Sequence, residues 1–472
     1  MKVLFAASEA YPFAMSGGLA DVAGALPKAL RKRFVGCRVV LPLYDSVSEE
    51  MRQKMKFITS ITVPVSWRRQ YCGIFEAHID GVIYYLLDNQ YYFKRPDMYG
   101  YYDDAERFVF FSRAVLEMIG HIDFMPDVIH CNDWQTAMIP VYKTLFYNRG
   151  IYTNMRTVFT IHNIQYQGKY GRELLEDVLG LSPEHASLVD YENCVNLMKG
   201  GIECADCVTT VSRTYAEEIL DPWFSFGLDG ILKQRRNKLH GIVNGIDTQV
   251  YDPANDPMIF EPFDSVNIAG KKVNKQKLQE YVGLPQREDV PLVGIVSRLV
   301  GHKGLDLVKC VFEELLGADI QFVVLGSGEW EFETFFHAMG QKYPEKVAFR
   351  LGFIPDLAHK IYAGADIFLM PSKSEPCGLA QMVALRYGAV PVVRETGGLK
   401  DTITDSGDKK GNGFTFATYN AHDMENAVWR AVSGYSDKEG WQQLVRRGME
   451  CDNSWGHSAG EYLKIYKEIC GR

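Results

Sequence analysis

The 472-residue sequence lacks the features that define several classes of protein. No apolar run approaches the roughly 18–20 residues that a membrane-spanning helix needs. Positive charge is also not in excess, because 51 basic residues stand against 59 acidic ones and the net charge is −8. A protein whose main ligand is a polyanion usually carries the opposite sign. We therefore expect neither a membrane nor a nucleic acid as partner.

The sequence also lacks paired cysteine spacing, and we expect no signal peptide at its N-terminus. Among the 10 cysteines, Cys204 and Cys207 form a lone C-x-x-C, and one such pair without a second does not make a zinc site. The N-terminal stretch MKVLFAASEAYPF has too short an apolar run for a signal peptide. These observations favour reduced thiols and a cytoplasmic location.

Several catalytic and cofactor motifs are absent too. The sequence has no G-x-G-x-x-G dinucleotide fingerprint, no Walker loop and no G-x-S-x-G nucleophile elbow. It also has no Asp-x-Asp pair, the arrangement that commonly grips a metal-bound nucleotide. We therefore expect neither a resident cofactor nor a metal ion.

What the sequence does have is two successive series of short, β-branched apolar runs that alternate with amphipathic stretches. This alternation is typical of parallel sheets built from strand–helix–strand units. Among the predicted elements are the strands Gln321–Gly326, Val347–Leu351 and Ile367–Met370 and the helices Trp134–Tyr147 and Leu305–Leu316. It predicts an α/β protein with two Rossmann-like, doubly wound domains, over residues 1–245 and 246–450, that face a central cleft. The segment Phe57–Tyr92 alternates like antiparallel strands, and we expect it at one edge of the first sheet. Ligands of such sheets bind beyond the carboxyl ends of the strands.

In the first half, polar and glycine residues follow three predicted strands. A Ser16-Gly17-Gly18 turn opens a helix, and paired glycines there leave backbone amides open to an anion. Asp133 and His162 follow two further strands. A helix cap at Asp133 and a loop contact at His162 would explain either one alone, but two clusters at matching strand ends favour a shared pocket.

The second half repeats this arrangement with more charge. Arg298 and Lys303 follow a strand and could bind a pyrophosphate, the arginine as a fork and the lysine as a point charge. Glu375 follows another strand just before a helix, where capping alone could also explain it. A further turn, Thr396-Gly397-Gly398, completes the rim.

These segments together resemble the bacterial glycogen synthase and plant starch synthase family of retaining glucosyltransferases. The resemblance covers essentially the whole chain and rests on eight segments in the family's order and spacing: SEAYPFAMSGGLADVAGALP, YYDDAERFVFFSRA, DVIHCNDWQTA, TVFTIHNIQYQG, GIVNGIDTQVYDP, VSRLVGHKGLDLV, SKSEPCGLAQM and ETGGLKDTI. It implies the GT-B fold, and a last segment, residues 451–472, whose helix returns to the first domain. It also implies a nucleotide-sugar donor, an α-glucan acceptor and transfer of glucose from ADP-glucose with retained configuration.

The resemblance also implies a role for each matching residue. Catalysis would fall to Glu375, Arg298, Lys303, His162 and Asp133, with the two cations neutralising the donor diphosphate in place of a metal. Phe353 would stack on the adenine, and Asn244 would face the sugar. The remaining substrate-binding positions would be Ser16, Gly17, Gly18, Asp21, Asn163, Cys377, Gly378, Leu379, Thr396, Gly397 and Gly398.

Two positions depart from the family pattern. Met15 stands where the family has a lysine tied to donor binding, and Ala380 stands where it often has a hydroxyl residue. Losing a cation beside a diphosphate costs on the order of 1.5–3 kcal/mol. A related enzyme that uses UDP-glucose or another acceptor, and a weakened glucan-binding paralogue, therefore remain as alternatives to an ADP-glucose-dependent synthase.

Overall fold

The computed structural model describes all 472 residues, which form two compact units. Unit 1 comprises residues 1–244 and 455–472, and unit 2 comprises residues 245–454. The ten cysteines are all free thiols. A bilayer-spanning helix is not found, since none of the helices combines the necessary length and apolar character.

Unit 1 is built on a nine-stranded sheet, with a separate three-stranded sheet beside it. The strands, in chain order, are β1 Lys2–Ala6, β2 Gly36–Pro42, β3 Met55–Val65, β4 Arg68–Ile79, β5 Val82–Asp88, β6 Val128–Asn132, β7 Arg156–Ile161, β8 Lys169–Tyr170, β9 Asp190–Tyr191, β10 Cys194–Asn196, β11 Cys207–Thr210 and β12 Leu239–Gly241. The helices are α1 Gly18–Lys32, α2 Glu49–Gln53, α3 Gln90–Phe93, α4 Asp104–Met118, α5 Met138–Leu145, α6 Leu174–Asp177, α7 Leu197–Cys204, α8 Arg213–Glu218, α9 Pro222–Ser225 and α10 Asp229–Gln234.

The strand order of the large sheet is β12-β11-β7-β6-β1-β2-β5-β4-β3. From β12 to β5 all neighbours are parallel, and β5, β4 and β3 continue as an antiparallel meander. This meander is the edge insertion that the alternating pattern predicts. Because the chain adds β2 on one side of β1 and β6 on the other, the sheet changes direction between β1 and β6. Ligands bind at the carboxyl ends of strands beside such a switch.

Unit 2 contains one six-stranded, wholly parallel sheet in the order β15-β14-β13-β16-β17-β18. The order in which the chain adds strands reverses between β13 and β16, because β14 and β15 lie on one side of β13 and β16 lies on the other. The strands are β13 Leu292–Val296, β14 Gln321–Gly326, β15 Val347–Leu351, β16 Ile367–Met370, β17 Val390–Arg394 and β18 Phe414–Phe416. The helices are α11 Ala269–Val282, α12 Leu305–Leu316, α13 Trp330–Lys342, α14 Pro355–Gly364, α15 Ala380–Arg386, α16 Gly397–Thr402, α17 Ala421–Ser436 and α18 Lys438–Glu450.

The last helix, α19 (Trp455–Ile469), belongs to unit 1 and packs on α1. Its buried Tyr466 hydroxyl lies 2.7 Å from Nδ1 of His130 in β6, and Nε2 of that histidine lies 2.6 Å from the Thr160 hydroxyl in β7. Burial lowers the pKa of His130 to about 3, so the ring is neutral at pH 7. The helix is thus joined to the sheet by a buried, uncharged network.

The predicted elements and the observed ones differ at identifiable points. A helix is predicted over Trp134–Tyr147, but the α-helix begins only at Met138, after a 3₁₀ turn over Trp134–Thr136. Pro140 explains the difference, since proline is tolerated in the first turn of a helix but not in its interior. The short edge strands β12 and β18 were not predicted, because three residues carry too little periodicity to stand out.

Candidate active site

Lys303 and Glu375 form an ion pair at the carboxyl edge of the unit 2 sheet. The Lys303 Nζ lies 2.7 and 2.9 Å from the two carboxylate oxygens, and the Ser372 hydroxyl donates to the nearer one at 2.9 Å. The two charged residues come from the loops after β13 and β16, the strands that flank the direction change. The switch point therefore brings two of the predicted catalytic residues together.

Glu375 is buried and ionised. Burial acts to raise the pKa of its carboxyl, but the Lys303 ammonium and the Ser372 hydroxyl outweigh burial, and the net effect lowers that pKa. Glu375 does not cap the following helix, whose N-cap residue is Leu379. The capping explanation for this glutamate is therefore wrong.

Arg298 lies in the same loop as Lys303 but makes no ion pair, and it is exposed. Between these two cations, His302 is kept neutral: burial lowers the pKa of its ring, and the neighbouring charges of Lys303 and Arg298 lower it further. The loop is tied to the Glu375 loop by the Lys373 amide, which donates to the His302 carbonyl at 2.9 Å. A guanidinium without a carboxylate partner is available to bind an anion.

The Gly397-Gly398 turn packs closely against the backbone of the Glu375 loop. Gly397 has φ +44°, and a Cβ there would lie 1.9 Å from the Glu375 carbonyl oxygen. The Gly398 amide donates to the carbonyls of Glu375 and Pro376, both at 3.2 Å. Thr396, the N-cap of α16, is fully buried. In the structure these residues hold the glutamate loop by backbone packing.

The next stretch of that loop presents open backbone amides. Gly378 (φ +73°) and Leu379 donate no amide hydrogen bond to other protein groups, and Cys377 is buried. The Gln381 Nε2 fixes the loop by donating to the carbonyls of Cys377 and Gly378 at 3.1 and 2.9 Å. The loop thus keeps two donors for an oxygen-rich ligand.

Phe353 follows β15 on the same edge of the unit 2 sheet, directly after Gly352, whose φ of +116° turns the chain. Its ring is 79% exposed, and Leu351 beside it is also exposed. A phenylalanine so exposed gains little from packing within the protein, and its ring offers a flat face to an aromatic base.

In unit 1, His162 follows β7 and is oriented by Asn132 at the end of β6. The Asn132 Nδ2 donates to the carbonyls of Ala6 and His130 at 3.0 and 3.2 Å, which leaves its Oδ1 as the acceptor 2.9 Å from Nε2 of His162. This fixes the proton on Nε2 and leaves Nδ1 as an acceptor. Burial lowers the pKa of His162 to about 3, so the ring is a neutral hydrogen-bonding group.

Asp133 has a strained backbone and a carboxyl group with an elevated pKa. Its φ is +56° and its ψ is 179°, a combination that is found almost only in glycine. Its Oδ1 accepts the His162 amide at 2.7 Å rather than capping the following turn. Burial raises the pKa of Asp133 to about 7, although this hydrogen bond opposes the increase. The helix-cap explanation for this residue is also wrong.

The Ser16-Gly17-Gly18 turn lies after β1 and opens α1, and Asp21 lies in the first turn of that helix. Buried Glu9 holds the turn, since its Oε2 accepts the amide and the hydroxyl of Ser16 at 2.5 and 2.8 Å. A Cβ at Gly17 or Gly18 would meet nothing within 4 Å, so the space around the N-terminus of α1 is open. No side chain caps this end of the helix. Met15 beside it is 48% exposed.

Two asparagines complete the predicted set in unit 1. Asn163 is half-buried beside His162, and its Oδ1 accepts the Gln165 amide at 3.0 Å. Asn244 follows β12; it is buried, and its Oδ1 has no hydrogen-bond partner. A buried carbonyl oxygen without a donor is costly unless a ligand satisfies it.

Sequence reasoning missed the residues that orient the predicted ones. Asn132, Glu9, Ser372 and Gln381 each fix a side chain or loop already singled out. Each lies within seven residues of its partner loop or at the end of an adjacent strand. Polar residues flanking a motif were the available signal, but their contacts depend on the folded backbone.

Comparison with known proteins gives a consistent result over the whole chain. Residues 2–234 match the family model described as starch synthase catalytic domain, and residues 277–446 match glycosyl transferases group 1. Glycogen synthase of Geobacillus thermodenitrificans is 52% identical over 99% of this chain and 98% of its own length. Glycogen synthase of Bacillus cereus is 50% identical over 99% of this chain and all of its own length.

Solved structures agree with this assignment. The catalytic domain of starch synthase IV from Arabidopsis thaliana, bound to ADP and acarbose, superposes with a TM-score of 0.92 at 35% identity, covering 100% of this chain and 99% of that one. A sucrose-phosphate synthase from Thermosynechococcus elongatus shares the fold with a TM-score of 0.62 at 16% identity, covering 100% and 99% of the two chains. The chain therefore belongs to the glycogen synthase and starch synthase family of glycosyltransferases, enzymes of the GT-B fold.

Proposed function

We propose that this glycosyltransferase moves glucose from ADP-glucose to the non-reducing end of an α-1,4-glucan and retains the α configuration. Two findings support ADP-glucose and a glucan as substrates. The relatives at 50–52% identity are glycogen synthases, and the starch synthase IV structure contains ADP and acarbose. The observation that carries the proposal is the Lys303–Glu375 pair with Arg298 unpaired in the same loop.

The donor diphosphate is assigned to the unit 2 residues. Arg298 supplies a free guanidinium, and Lys303 keeps one of its three N–H donors while two contact Glu375. These cations stabilise the leaving nucleoside diphosphate, a task that other enzymes give to a metal ion, so we propose that none is required. The amides of Gly378 and Leu379 bind further oxygens, and Phe353 stacks on the adenine.

The transferred glucose is assigned to neutral groups and to one buried carboxylate. The free Nδ1 of His162 accepts a hydrogen bond from a glucose hydroxyl, and Asn244 Oδ1 accepts another. Glu375, ionised and held by Lys303, stabilises positive charge that develops at the sugar carbon. Asp133 and Asn163 fix the backbone beside His162, and the Gly17-Gly18 turn binds donor oxygens.

The chemical step follows from what these residues supply. Neither carboxylate assigned to catalysis is free to act as a nucleophile, because Glu375 pairs with Lys303 and burial raises the pKa of Asp133 to about 7. We therefore propose attack on the face from which the diphosphate leaves. The acceptor 4-hydroxyl oxygen bonds to C1 of the glucose while the C1–phosphate oxygen bond breaks. The hydroxyl proton passes to the departing phosphate oxygen, which balances the charge.

UDP-glucose as donor is the second candidate, and Met15 is the observation that favours it. The position carries a lysine in the family pattern, and here a half-exposed thioether stands beside the open end of α1. One cation fewer near the diphosphate weakens the binding of either donor. It changes the preference only if that cation also discriminates between the nucleotides.

The test compares ADP-glucose with UDP-glucose at equal concentration, with glycogen as acceptor, by following release of the nucleoside diphosphate. We expect a strong preference for ADP-glucose. In Met15→Lys we expect the KM for ADP-glucose to fall about tenfold, because one charge–phosphate contact is gained. Met15→Gln, which adds polarity without charge, is the matched control. A preference for UDP-glucose would favour the second candidate, and no turnover with either donor would refute both.

A further inference from the structure

Three side chains that can bind a metal ion converge on the surface of unit 2, between helices α12 and α17. They are Glu314 in the last turn of α12 and, on α17, His422 and Glu425, and their ligand atoms all lie within 4.8 Å of one another. The two helices pack on each other, so residues from distant parts of the chain meet here. None of the three lies in the loops that hold the assigned catalytic residues.

The spacing of His422 and Glu425 matches that of two ligands of one ion. The Nδ1 atom of His422 lies 3.3 Å from Oε2 of Glu425. Two atoms that each lie about 2.0–2.2 Å from a tetrahedral ion are roughly 3.3–3.6 Å apart. The two residues are one helical turn apart on α17, which places them on the same face of the helix. A metal ion therefore fits between these atoms in place of the hydrogen of their present contact.

Glu425 is held in position by a residue outside the cluster. Its side chain is 14% exposed, and its Oε1 accepts a hydrogen bond from Nε1 of Trp429 at 3.2 Å. Hydrogen bonds of this kind orient the carboxylates that bind metal ions. Because Trp429 occupies Oε1, the other oxygen, Oε2, is the one left for an ion beside His422.

Glu314 contributes a negative charge that no basic side chain neutralises. Its neighbour Glu313 pairs with Lys342 at 2.6 Å. Lys309, earlier on the same helix, pairs instead with Glu331 at 2.7 Å. Neither Glu314 nor the nearby carboxylate on α17 has a lysine or arginine partner. The C-terminal turn of α12 and the N-terminal turn of α17 bring opposite dipole charges to this place, so the two carboxylates determine the local potential and attract a cation.

The ligand set decides which cation fits. One imidazole nitrogen and two carboxylate oxygens suit Zn²⁺, whereas Mg²⁺ prefers oxygen ligands alone and keeps several waters. We propose that Glu314, His422 and Glu425 form a zinc site, with water in the fourth position. Glu314 is exposed, and its carboxylate moves inward by about 1 Å to reach the ion. The site does not depend on the proposed function and takes no part in glucose transfer.

A metal ion held between two helices stabilises the folded chain. At the other end of α12, the Tyr419 hydroxyl already links the two elements by donating to Oδ1 of Asp306 at 2.5 Å. Zn²⁺ adds a link at the last turn of α12. The unfolded chain does not hold these three ligands together, so binding favours the folded state. With Zn²⁺ in hundredfold excess over its Kd, the Tm of unit 2 should rise by roughly 5 °C.

The experiment titrates the untagged full chain with Zn²⁺ in a calorimeter, with Mg²⁺ present throughout. We expect one Zn²⁺ site per chain whose affinity falls by about tenfold or more in His422→Ala and in Glu314→Gln. His337→Ala, which removes an exposed histidine of α13, is the matched control. Cys310→Ser removes the exposed thiol of α12, a competing zinc ligand. These two variants should bind Zn²⁺ and gain Tm as the wild type does.

Four results overturn the inference: no Zn²⁺ binding by the wild type, equal affinity in the wild type and His422→Ala, loss of binding in Cys310→Ser, or displacement of Zn²⁺ by an equal concentration of Mg²⁺. Replacing Zn²⁺ with Co²⁺ gives an independent measure, since a thiolate-to-cobalt absorption band would show that cysteine binds the ion. Circular dichroism of the metal-free variants checks folding, and Glu314→Gln keeps the test valid if His422→Ala does not fold.

Discussion

The two carboxyl edges of the sheets carry opposite kinds of chemistry. In unit 2 the edge holds full charges: the Lys303–Glu375 pair and an unpaired Arg298. In unit 1 it holds neutral or nearly neutral groups, because burial lowers the pKa of His162 to about 3 and raises that of Asp133 to about 7. A diphosphate needs charge and sugar hydroxyls need oriented neutral partners. Under the proposed function, the unit 2 edge is assigned to the donor phosphates and the unit 1 edge to the sugar hydroxyls.

The presence or absence of a neighbouring cation explains how similar sheets reach these different outcomes. At the unit 2 edge, Glu375 stays ionised because Lys303 lies within hydrogen-bond distance of both of its oxygens. At the unit 1 edge, Asp133 and Glu9 are also shielded from water, but each carboxylate accepts hydrogen bonds only from uncharged donors, so burial raises both pKa values. A nearby cation, rather than exposure, decides which carboxylate keeps its charge.

The largest expected effect on activity comes from removing either charge of the Lys303–Glu375 pair in unit 2. In Lys303→Ala and Glu375→Ala, kcat for transfer should fall by about 10²–10³-fold, because each variant removes transition-state stabilisation and leaves the partner charge unpaired. Steady-state release of ADP, with circular dichroism as a check on folding, measures this. Lys309→Ala is the matched control, since it breaks the exposed ion pair between Lys309 of α12 and Glu331 of α13. Near-normal turnover in either site variant would contradict the assignment.

An intermediate effect on activity is expected from removing the contact between Asn132 and His162 in unit 1. Asn132→Ala removes the acceptor that fixes the proton of His162 on Nε2, and we expect kcat to fall about tenfold or more with little change in the KM for donor. Nitrogen NMR of the ring should show the Nε2–H tautomer in the wild type and a mixture in the variant. Asn148→Ala, which removes an exposed amide, is the control. A fall in kcat with an unchanged tautomer would argue against a positioning role.

The smallest effect concerns the pH dependence of stability. His130 has a pKa of about 3 in the folded state against about 6.5 when unfolded, so its contribution is present above pH 6.5 and is lost as pH falls below it. Between pH 7 and pH 5 this amounts to about 2 kcal/mol of the unfolding free energy. Urea unfolding at pH 7 and at pH 5 measures how much unfolding free energy is lost between the two pH values. This loss should be smaller by about 2 kcal/mol in His130→Gln than in the wild type. An equal loss in both proteins would mean that the ring is protonated in the folded protein.

Much of the fold was predictable because hydrophobic periodicity is local. The strands Gln321–Gly326, Val347–Leu351 and Ile367–Met370 and the helix Leu305–Leu316 were predicted with the bounds that the structure has. The predicted positions of Glu375, Lys303, His162 and Asp133 at strand ends also agree with the structure. Their roles in catalysis stay predictions until the variants above are measured.

The sequence by itself determined the alternation of strands and helices, the family, and which polar residues follow buried strands, because these properties depend on residues near one another in the chain. Only the tertiary structure decided which of these residues pair. Lys303 meets Glu375 across 72 positions, and Asn132 orients His162 across 30. Side-chain partnership, burial and the resulting pKa values depend on which strands become neighbours, and local sequence does not encode that order.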